Sequence, residues 1–338
     1  MPIINCSRIR DVAGQALARA GVPLAHAAIQ LDVLLEAELR GVPSHGLLRL
    51  DRVVQRILNG VADPHATGRL NWLSSGFLTV DGEKGLGPVV AVAALDALQH
   101  RAREVGVAIA GITNSNHLGM LGWYAERIAA NGQYIIAMST SEALVHPWGA
   151  RKALIGTNPI AIGVPTEGRP FVMDTATSVV SMGEIHDYAH RQVSIPAHWA
   201  LNAEGKPTTD ANEAKKGALA PFGGAKGYAL GLAIELLVTS LAGAAIGTGV
   251  RGTLDATEVC NKGDVFIVID GPSPNLTAYL DMIRHSEPAE GFESVLVPGD
   301  RARACRAHRL EHGVPVADEV WLRMLVLAEG GMAVKQHT

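Results

Sequence analysis

The sequence contains few of the residues that mark specialised protein classes. Its three cysteines, Cys6, Cys260 and Cys305, are too few and too widely spaced for a disulfide framework or a cysteine-rich zinc site. Charged residues make up 18% of the chain and hydrophobic residues 48%, which excludes a disordered protein. The 338 residues are enough for about two domains, each with a core of its own.

Neither sign of charge dominates, because 29 Lys and Arg residues stand against 33 Asp and Glu residues. A net charge of −4 gives no field that would attract nucleic acid or an anionic membrane. The N-terminal segment has no apolar stretch long enough for a signal sequence. The most apolar run, residues 227–246, contains Glu235 and Thr239 and predicts a buried helix of a soluble protein rather than a membrane span. We therefore expect a cytoplasmic protein without nucleic-acid or membrane partners.

Three familiar enzyme motifs are absent or incomplete. The sequence has no GxSxG elbow of a serine hydrolase. His186 and His190 lack the glutamate of a zinc-binding HExxH motif, so no metal site is expected. The GxGxxG pattern at residues 247–252 follows a predicted helix, whereas the Rossmann motif follows a strand and opens a helix. We interpret it as a glycine-rich loop, so a dinucleotide would have to bind through another fold.

The chain is rich in glycine, with 37 residues, which is typical of tight turns and of backbone close to a ligand. Apolar periodicity predicts helices near both chain ends and alternating strands and helices between them. This pattern predicts an α/β protein with a mixed-sheet core at residues 71–299 and a helical subdomain formed by residues 1–70 and 300–338. The predicted strands are 77–80, 107–112, 134–139, 160–164, 171–174 and 265–269, and the predicted helices include 46–58, 87–104, 122–131, 226–242, 301–313 and 318–329.

The segment from Ser44 to Arg49 is the first candidate site, because one predicted helix ends there and the next begins. A helix N-terminus attracts anions, and the planar guanidinium of Arg49 can donate two parallel hydrogen bonds to a carboxylate. Alternatively, Ser44 only caps the helix, and His45 and Arg49 are solvated. The residues alone favour neither interpretation.

The second candidate is His117, which follows the predicted strand 107–112 and precedes a helix. The end of a strand is a usual place for ligand chemistry in an α/β sheet. A histidine there can give a proton to a developing alkoxide and take it back. Alternatively, His117 caps the helix or fills a polar niche in the core.

Three further segments could hold a ligand through their backbone: residues 156–159, 173–178 and 222–227. The second supplies Asp174, an acid suited to ribose or amide contacts. The third places Lys226 at the start of a predicted helix, where phosphate binds favourably. Each signal is weak by itself, since Gly and Thr also build ordinary turns.

Taken in order along the chain, these segments resemble the malate/L-lactate dehydrogenase family, which is unrelated to the Rossmann lactate dehydrogenases. The resemblance spans nearly the whole chain and implies a non-Rossmann fold peculiar to that family. It is carried by SHGLLRL at 44–50, GLGPVV at 85–90, NSNHLGMLGWYA at 114–125, GTNPIAI at 156–162, MDTATS at 173–178, GKPTTD at 205–210, FGGAKGYALGLAIELL at 222–237 and SEPAEGFE at 286–293.

The resemblance also implies chemistry and site residues. It implies NAD(P)H-dependent reduction of a 2-oxo acid, or of a related imine, on a homodimer. His45 and His117 match acid/base histidines, without deciding which one donates the proton. Ser44 and Arg49 match the substrate site, with Arg49 as the carboxylate ligand. The implied cofactor-binding residues are Asn116, Gly119, Asn158, Asp174, Thr175, Ala176, Ala225, Lys226, Gly299, Asp300 and Arg301.

Departures from the family pattern narrow the choice of substrate. Glu142 stands near the position of a lysine in ureidoglycolate enzymes, and residues 253–264 together with SEPAEGFE look closest to (R)-sulfolactate dehydrogenases. We therefore expect interconversion of 3-sulfopyruvate and (R)-3-sulfolactate, with Arg251 or Lys152 as possible ligands of the sulfonate. The alternatives are malate or lactate dehydrogenation, reduction of imines to cyclic or N-methyl amino acids, and dinucleotide binding without catalysis. The choice between NAD and NADP stays open.

Overall fold

The structure of the protein is a computed structural model that describes residues 1–272 and 274–331. Helices and strands alternate over most of this part of the chain. The helices are α1 (Cys6–Arg19), α2 (Leu24–Leu39), α3 (Leu50–Leu58), α4 (Gly87–Val105), α5 (Leu121–Ala130), α6 (Met182–His190), α7 (Ala211–Ala214), α8 (Ala225–Ala242), α9 (Thr277–Arg284), α10 (Asp300–His312) and α11 (Asp318–Glu329). The strands are β1 (Ile3–Ile4), β2 (Arg69–Trp72), β3 (Phe77–Asp81), β4 (Val107–Thr113), β5 (Tyr134–Ser139), β6 (Ile160–Val164), β7 (Phe171–Thr175), β8 (Ala200–Leu201), β9 (Ala218–Leu219), β10 (Asp264–Ile269) and β11 (Val314–Pro315).

Seven strands form one mixed sheet in the order β2-β3-β4-β10-β5-β6-β7. Only β3 and β4 run parallel among these neighbours, and each of the other pairs is antiparallel. A Rossmann sheet is parallel, so this arrangement is a different α/β fold. The predicted mixed-sheet, non-Rossmann architecture is confirmed.

Helices cover both faces of the sheet because its strands alternate side chains between them. On one face, Ala110, Ile112 and Phe266 pack with α4 and α5. On the other face, Met138 and Val265 pack with Ile234 and Val238 of α8. The main chain of α8 approaches β4 very closely at Gly111, where a Cβ would lie 2.4 Å from the carbonyl oxygen of Leu241. A larger residue at position 111 would push α8 away from the sheet.

The two ends of the chain form a second core beside the sheet. Strand β1 pairs with β11, and apolar residues of α1, α2, α3 and α11 pack together. Leu86 and Val89, next to and within α4, also belong to this core, which ties it to the sheet. The helical subdomain formed by both chain ends is therefore confirmed. The exact division at residues 70 and 300 stays a prediction, and residues 332–338 lie outside the described part of the chain.

Two expectations about individual helices need correction. The helix predicted over 46–58 begins only at Leu50, and two short 3-10 turns, Pro43–His45 and Leu47–Arg49, precede it. Helix α8 was expected to be buried, but only five of its residues are, while Leu230, Leu236 and Leu237 are exposed. By length and composition α8 could cross a membrane, with a mean hydropathy of 1.3. It lies against β4, β5 and β10, so its inward face is part of the sheet's core.

Candidate active site

The turn that carries Ser44 and His45 is fixed by a buried carboxylate. Glu38 of α2 accepts a hydrogen bond from the Leu47 backbone N–H at 2.8 Å through Oε1. Gly46 leaves room for this contact, because a Cβ at that position would lie 2.3 Å from the same oxygen. The two 3-10 turns on either side of Gly46 bring His45 and Arg49 to the same side of the chain.

His45 and His117 lie side by side although 72 positions separate them in sequence. Their rings stack with centroids 5.4 Å apart and an angle of 30° between the planes. The Ser44 hydroxyl is 3.0 Å from Nδ1 of His45. No side chain caps the 3-10 turns or α3, so Ser44 is not a helix cap. The structure therefore brings together the two histidines that the sequence singled out separately.

The loop between β4 and α5 holds His117 in a defined orientation. The Gly119 backbone N–H donates to Nδ1 of His117 at 3.0 Å. Asn116 is buried, and its side chain accepts from Arg56 and donates to the carbonyl oxygens of Lys84 and Gly85. Asn116 was expected to bind the cofactor, and in this structure its side-chain amide is occupied by these protein contacts.

Arg49 presents most of its guanidinium to the site. Its Nε donates to the carbonyl oxygen of Ser44 at 2.8 Å, and neither terminal nitrogen has a partner among the described residues. Arg49, Arg52, Arg56, Asn116, His117, Gly119 and Thr253 line one cleft. The terminal fork of Arg49 is thus available to an anion beside His117. Of the two interpretations of this segment, the geometry favours the anion-binding one.

Charge and burial keep both imidazoles neutral at pH 7. Burial, followed by the nearby charge of Arg49, lowers the pKa of His45 to about 4. The same two causes, in the same order, hold the pKa of His117 well below its ordinary value. Burial and the charge of Arg52 lower the pKa of Arg49 to about 10, so it stays cationic at neutral pH. The site combines a positive charge on Arg49 with two neutral imidazole rings.

The loop after α8 closes one side of the cleft. Glu142 accepts hydrogen bonds from the backbone N–H groups of Thr253 and Leu254 and from the Thr253 hydroxyl. Arg56 donates to the carbonyl oxygens of Asp255 and Glu258. No sequence pattern indicates these contacts, because more than 100 positions separate the partners. Arg52 and Thr253 were missed as lining residues, because only the folded chain shows which side chains face this cleft.

The three segments expected to hold a dinucleotide meet beside β7. Thr177 donates its backbone N–H to Thr157, and Phe222 donates to Thr177. The Asn158 amide donates to the Gly231 carbonyl oxygen of α8 and to buried Glu235. Residues 156–158, 175–178 and 222–226 therefore form one continuous region.

This region has groups that suit a dinucleotide. Helix α8 begins at Ala225 without a side-chain cap, so its first backbone N–H groups are available to an anion such as a diphosphate. Lys226 is exposed on the same turn. Asp174 and Thr175 are also exposed, and Oδ2 of Asp174 accepts from the Gly122 N–H at 2.6 Å. Ala176, next to them, is partly exposed. Exposed carboxylate and hydroxyl groups of this kind can bind a ribose.

The predicted cofactor turn Gly299–Arg301 lies at the start of α10, near the opposite end of β7. A Cβ on Gly299 would be 3.0 Å from the carbonyl oxygen of Val172. Both oxygens of Asp300 accept hydrogen bonds, from Arg284, Arg303 and the Val297 N–H. A cavity of about 450 Å³ opens next to Asp300. Arg301 is exposed, and its cofactor role, like the others, stays a prediction.

The GxGxxG segment has a clear place in the structure. The GxGxxG segment follows helix α8 and forms a 3-10 turn at Gly247–Gly249 without opening an α-helix, so its interpretation as a glycine-rich loop rather than a Rossmann motif is confirmed. Within residues 1–272 and 274–331, no group of three or more His, Cys, Asp or Glu side chains is arranged to hold a metal ion.

Known proteins match this fold over nearly its whole length. The family described as malate/L-lactate dehydrogenase matches residues 4–325. The chain belongs to this family. An L-sulfolactate dehydrogenase from Methanocaldococcus jannaschii is 38% identical over 293 residues, which cover 84% of each chain. A dehydrogenase of known structure from Sinorhizobium meliloti is 48% identical, with a TM-score of 0.93 over 97% of this chain and 98% of that one.

Members of the malate/L-lactate dehydrogenase family at this level of identity differ in their named reactions. A delta(1)-pyrroline-2-carboxylate reductase from Pseudomonas fluorescens is 36% identical over 312 residues, covering 89% of this chain and 91% of that protein. The predicted family is confirmed, and the substrate has to be argued from the residues of this chain's own cleft.

Proposed function

We propose that the protein is an NAD(P)H-dependent oxidoreductase that interconverts small 2-oxo and 2-hydroxy acids, with 3-sulfopyruvate as its preferred 2-oxo acid. The observation that carries this proposal is the cleft lined by Arg49, with its open guanidinium fork, and by His117, whose ring stacks against that of His45. A 2-oxo acid needs one cation for its carboxylate and a proton donor for its carbonyl oxygen. The relatives named L-sulfolactate dehydrogenase support the choice of substrate.

Arg49 binds the substrate carboxylate in this proposal. Two terminal nitrogens of one guanidinium can donate parallel hydrogen bonds to both carboxylate oxygens, which fixes the plane of the acid as well as its position. The bond from Nε to the Ser44 carbonyl oxygen holds the guanidinium in place while the terminal nitrogens stay available. The substrate carbonyl then lies near the two imidazoles.

The two histidines take different roles because their Nδ1 atoms have different partners. A backbone N–H can only donate, so the Gly119 N–H requires Nδ1 of His117 to be unprotonated. The proton of neutral His117 is then on Nε2. In that state His117 is a hydrogen-bond donor that stabilises negative charge developing on the substrate oxygen, without becoming an imidazolium itself.

His45 can carry a second proton, because its Nδ1 faces a hydroxyl. The Ser44 Oγ can donate to Nδ1 of neutral His45 or accept a hydrogen bond from it once the ring is protonated. We therefore assign the exchanged proton to His45 and the orienting hydrogen bond to His117. A bound nicotinamide supplies the hydride at its C4 position in reduction and takes it back in oxidation.

The residues present fit a nicotinamide dinucleotide along β7. The start of α8 with Lys226 would hold the diphosphate, and Asp174 with Thr175 would bind a ribose. Arg301 is available for a 2′-phosphate, because it is exposed and has no partner among the described residues. A relative from Chromohalobacter salexigens is named (2R)-3-sulfolactate dehydrogenase (NADP(+)). NADH and NADPH are therefore both to be tested.

We further propose that the enzyme works as a homodimer in the cytoplasm, without nucleic-acid or membrane partners. Exposed leucines and alanines form a stripe along the outer face of α8, at positions 229, 230, 233, 236 and 237. A contiguous apolar stripe of this kind is typical of a subunit interface. Cys6, Cys260 and Cys305 are free thiols, as suits a reducing compartment.

The assay that tests the function follows the absorbance of the reduced nicotinamide, with NADH and NADPH in parallel. The substrates are 3-sulfopyruvate, oxaloacetate, pyruvate, and pyruvate with methylamine. We expect the highest kcat/KM with 3-sulfopyruvate. Turnover only when methylamine is present would instead make the enzyme an imine reductase, in line with its relative from Pseudomonas fluorescens. Binding of NADH without turnover of any oxo acid would refute the proposed reaction.

A further inference from the structure

Three arginines line the cleft, and they differ in how many partners each has: Arg49 ends the second 3-10 turn, and Arg52 and Arg56 lie in α3. Arg56 is buried, and all three of its nitrogens donate, to Asn116 and to the carbonyl oxygens of Asp255 and Glu258. Arg49 uses only Nε. Arg52 makes no hydrogen bond and no ion pair with any residue in 1–272 or 274–331. Arg56 therefore links α3 to the loops that contain Asn116, Asp255 and Glu258, whereas Arg52 is available to a ligand.

Arg52 lies in the same cleft as Arg49 and His117. It is three positions after Arg49, a spacing that places both side chains on the same side of a helical turn. Asp255 and Glu142 lie close enough to act on its charge, and so does the cation Arg56, but neither carboxylate forms an ion pair with it. Two neighbouring cations are thus held in one cleft without a directly bonded counter-ion.

Of the three arginines that line this cleft, Arg52 is the one whose movement breaks no hydrogen bond or ion pair with a described residue. Its long side chain can therefore turn towards a substrate that is bound at Arg49.

We propose that Arg52 binds the second anionic group of the substrate, a sulfonate or carboxylate on C3, while Arg49 binds the C1 carboxylate. This rests on the proposed function and makes the cleft selective for 2-oxo acids with two anionic groups. Arg251 and Lys152, the cations suggested by the sequence, are not among the residues that line this cleft. We therefore assign the binding of the sulfonate to Arg52 instead of Arg251 or Lys152.

The kinetic test replaces Arg52 by Gln and by Lys. In Arg52→Gln we expect KM for 3-sulfopyruvate and for oxaloacetate to rise at least about tenfold. KM and kcat for pyruvate, which has no second anionic group, should stay within about twofold, because Arg49 still binds its carboxylate. Arg52→Lys should recover part of the loss. The control is Arg103→Gln, which removes one exposed positive charge at the end of α4, outside the cleft.

A binding test examines the Arg52 subsite independently of the proposed reaction. The probes are 3-sulfopropionate and succinate, which have two anionic groups and no keto group to reduce. Propionate, with one anionic group, is the comparison. We expect the wild type to bind the two dianions more tightly than propionate, measured by calorimetry, and Arg52→Gln to lose that preference. It is possible to test the subsite even if no oxo acid is turned over. If the wild type then binds the dianions more tightly than propionate and Arg52→Gln does not, the Arg52 subsite is supported and the proposed reaction is refuted.

Two outcomes would overturn the subsite. An equal loss of kcat/KM for pyruvate and 3-sulfopyruvate in Arg52→Gln would show that Arg52 supports the cleft in general rather than a second anion. Binding of the dianions no tighter than propionate in the wild type would show that Arg49 is the only anion ligand in the cleft.

Discussion

At the scale of single residues, His45 and His117 differ mainly in the atom that faces Nδ1. A backbone N–H faces it in His117, and a hydroxyl faces it in His45. The first can only donate, whereas the second can donate or accept. Two stacked residues of the same type therefore have different capacities for a second proton, and pH can separate their roles.

We predict that the pH dependence of reduction belongs to His45. Reduction needs a protonated acid, and the pKa of His45 is lowered to about 4, so the protonated fraction grows as pH falls. We expect kcat/KM for the reduction of 3-sulfopyruvate to rise from pH 8 to pH 5. Oxidation of the hydroxy acid needs the neutral ring, so its kcat/KM should not rise as pH falls.

The two histidine variants check this assignment. His45→Gln should lose the pH-dependent part of kcat/KM. His117→Gln should lower kcat by about a hundredfold, as expected when a donor to the developing oxyanion is impaired, and should keep the pH dependence. The reverse result, with the slope lost in His117→Gln and kept in His45→Gln, would exchange the two roles.

Arg49 gives a second prediction at this scale. Arg49→Gln should raise KM for pyruvate and for 3-sulfopyruvate alike, by about 30-fold or more, because ~2 kcal/mol or more is lost when a buried charge loses its partner. The Kd of NADH, measured by its fluorescence, should not change. Unchanged kinetics would remove Arg49 from the substrate site, and weaker NADH binding would place it at the cofactor.

At the scale of secondary structure elements, the turn between α2 and α3 positions His45 and Arg49, the proposed catalytic and substrate-binding residues. The Leu47 N–H bonds to Glu38, and Gly46 is the residue that lets the two segments approach. Gly46→Ala should push the Glu38 carboxylate away and leave the Leu47 N–H without its acceptor. The turn that carries His45 would then move.

We expect Gly46→Ala to lower the free energy of unfolding by about 1–3 kcal/mol, the cost of an unsatisfied buried group. The same shift should reduce kcat/KM by at least about tenfold, since small displacements of catalytic groups are costly. Gly14→Ala in α1 is the matched control, because nothing lies within 4 Å of its new Cβ. Urea unfolding and the oxo-acid assay measure both effects. Wild-type kinetics in Gly46→Ala would show that the turn tolerates a methyl group.

The elements with regular apolar periodicity could be predicted closely from the sequence. The bounds of β5 and β6 were predicted without error, and α8 began one residue earlier than expected. Strand β2 was missed, because most of its residues are exposed at the edge of the sheet and show no alternation. The 3-10 turns around Gly46 were also missed, since the contact with Glu38 that shapes them is a tertiary one.

At the scale of the whole molecule, the outer face of α8 is the feature that a second copy would cover. We expect the wild type to have twice the mass of one 35.5 kDa chain in light scattering. Leu236→Glu with Leu237→Glu should give monomers, because a charge buried in an apolar interface is costly. Leu24→Glu is the control, at an exposed leucine on α2. A monomeric wild type would refute the dimer.

The sequence by itself determined the fold class, the family and most catalytic candidates, because strands, helices and short motifs such as SHGLLR are local patterns. It could not separate the roles of Arg49, Arg52 and Arg56, since their spacing of three and four positions places all three on one side of the same helical segment. Their roles follow from their hydrogen-bond partners. Arg56 donates to the carbonyl oxygens of Asp255 and Glu258, about 200 positions away, whereas Arg49 donates only through Nε, to the Ser44 carbonyl oxygen. Hydrogen bonds between residues that meet only in the folded chain produce no periodic pattern in the sequence. For that reason the folded structure decides which arginine is free and which nitrogen of His117 carries the proton.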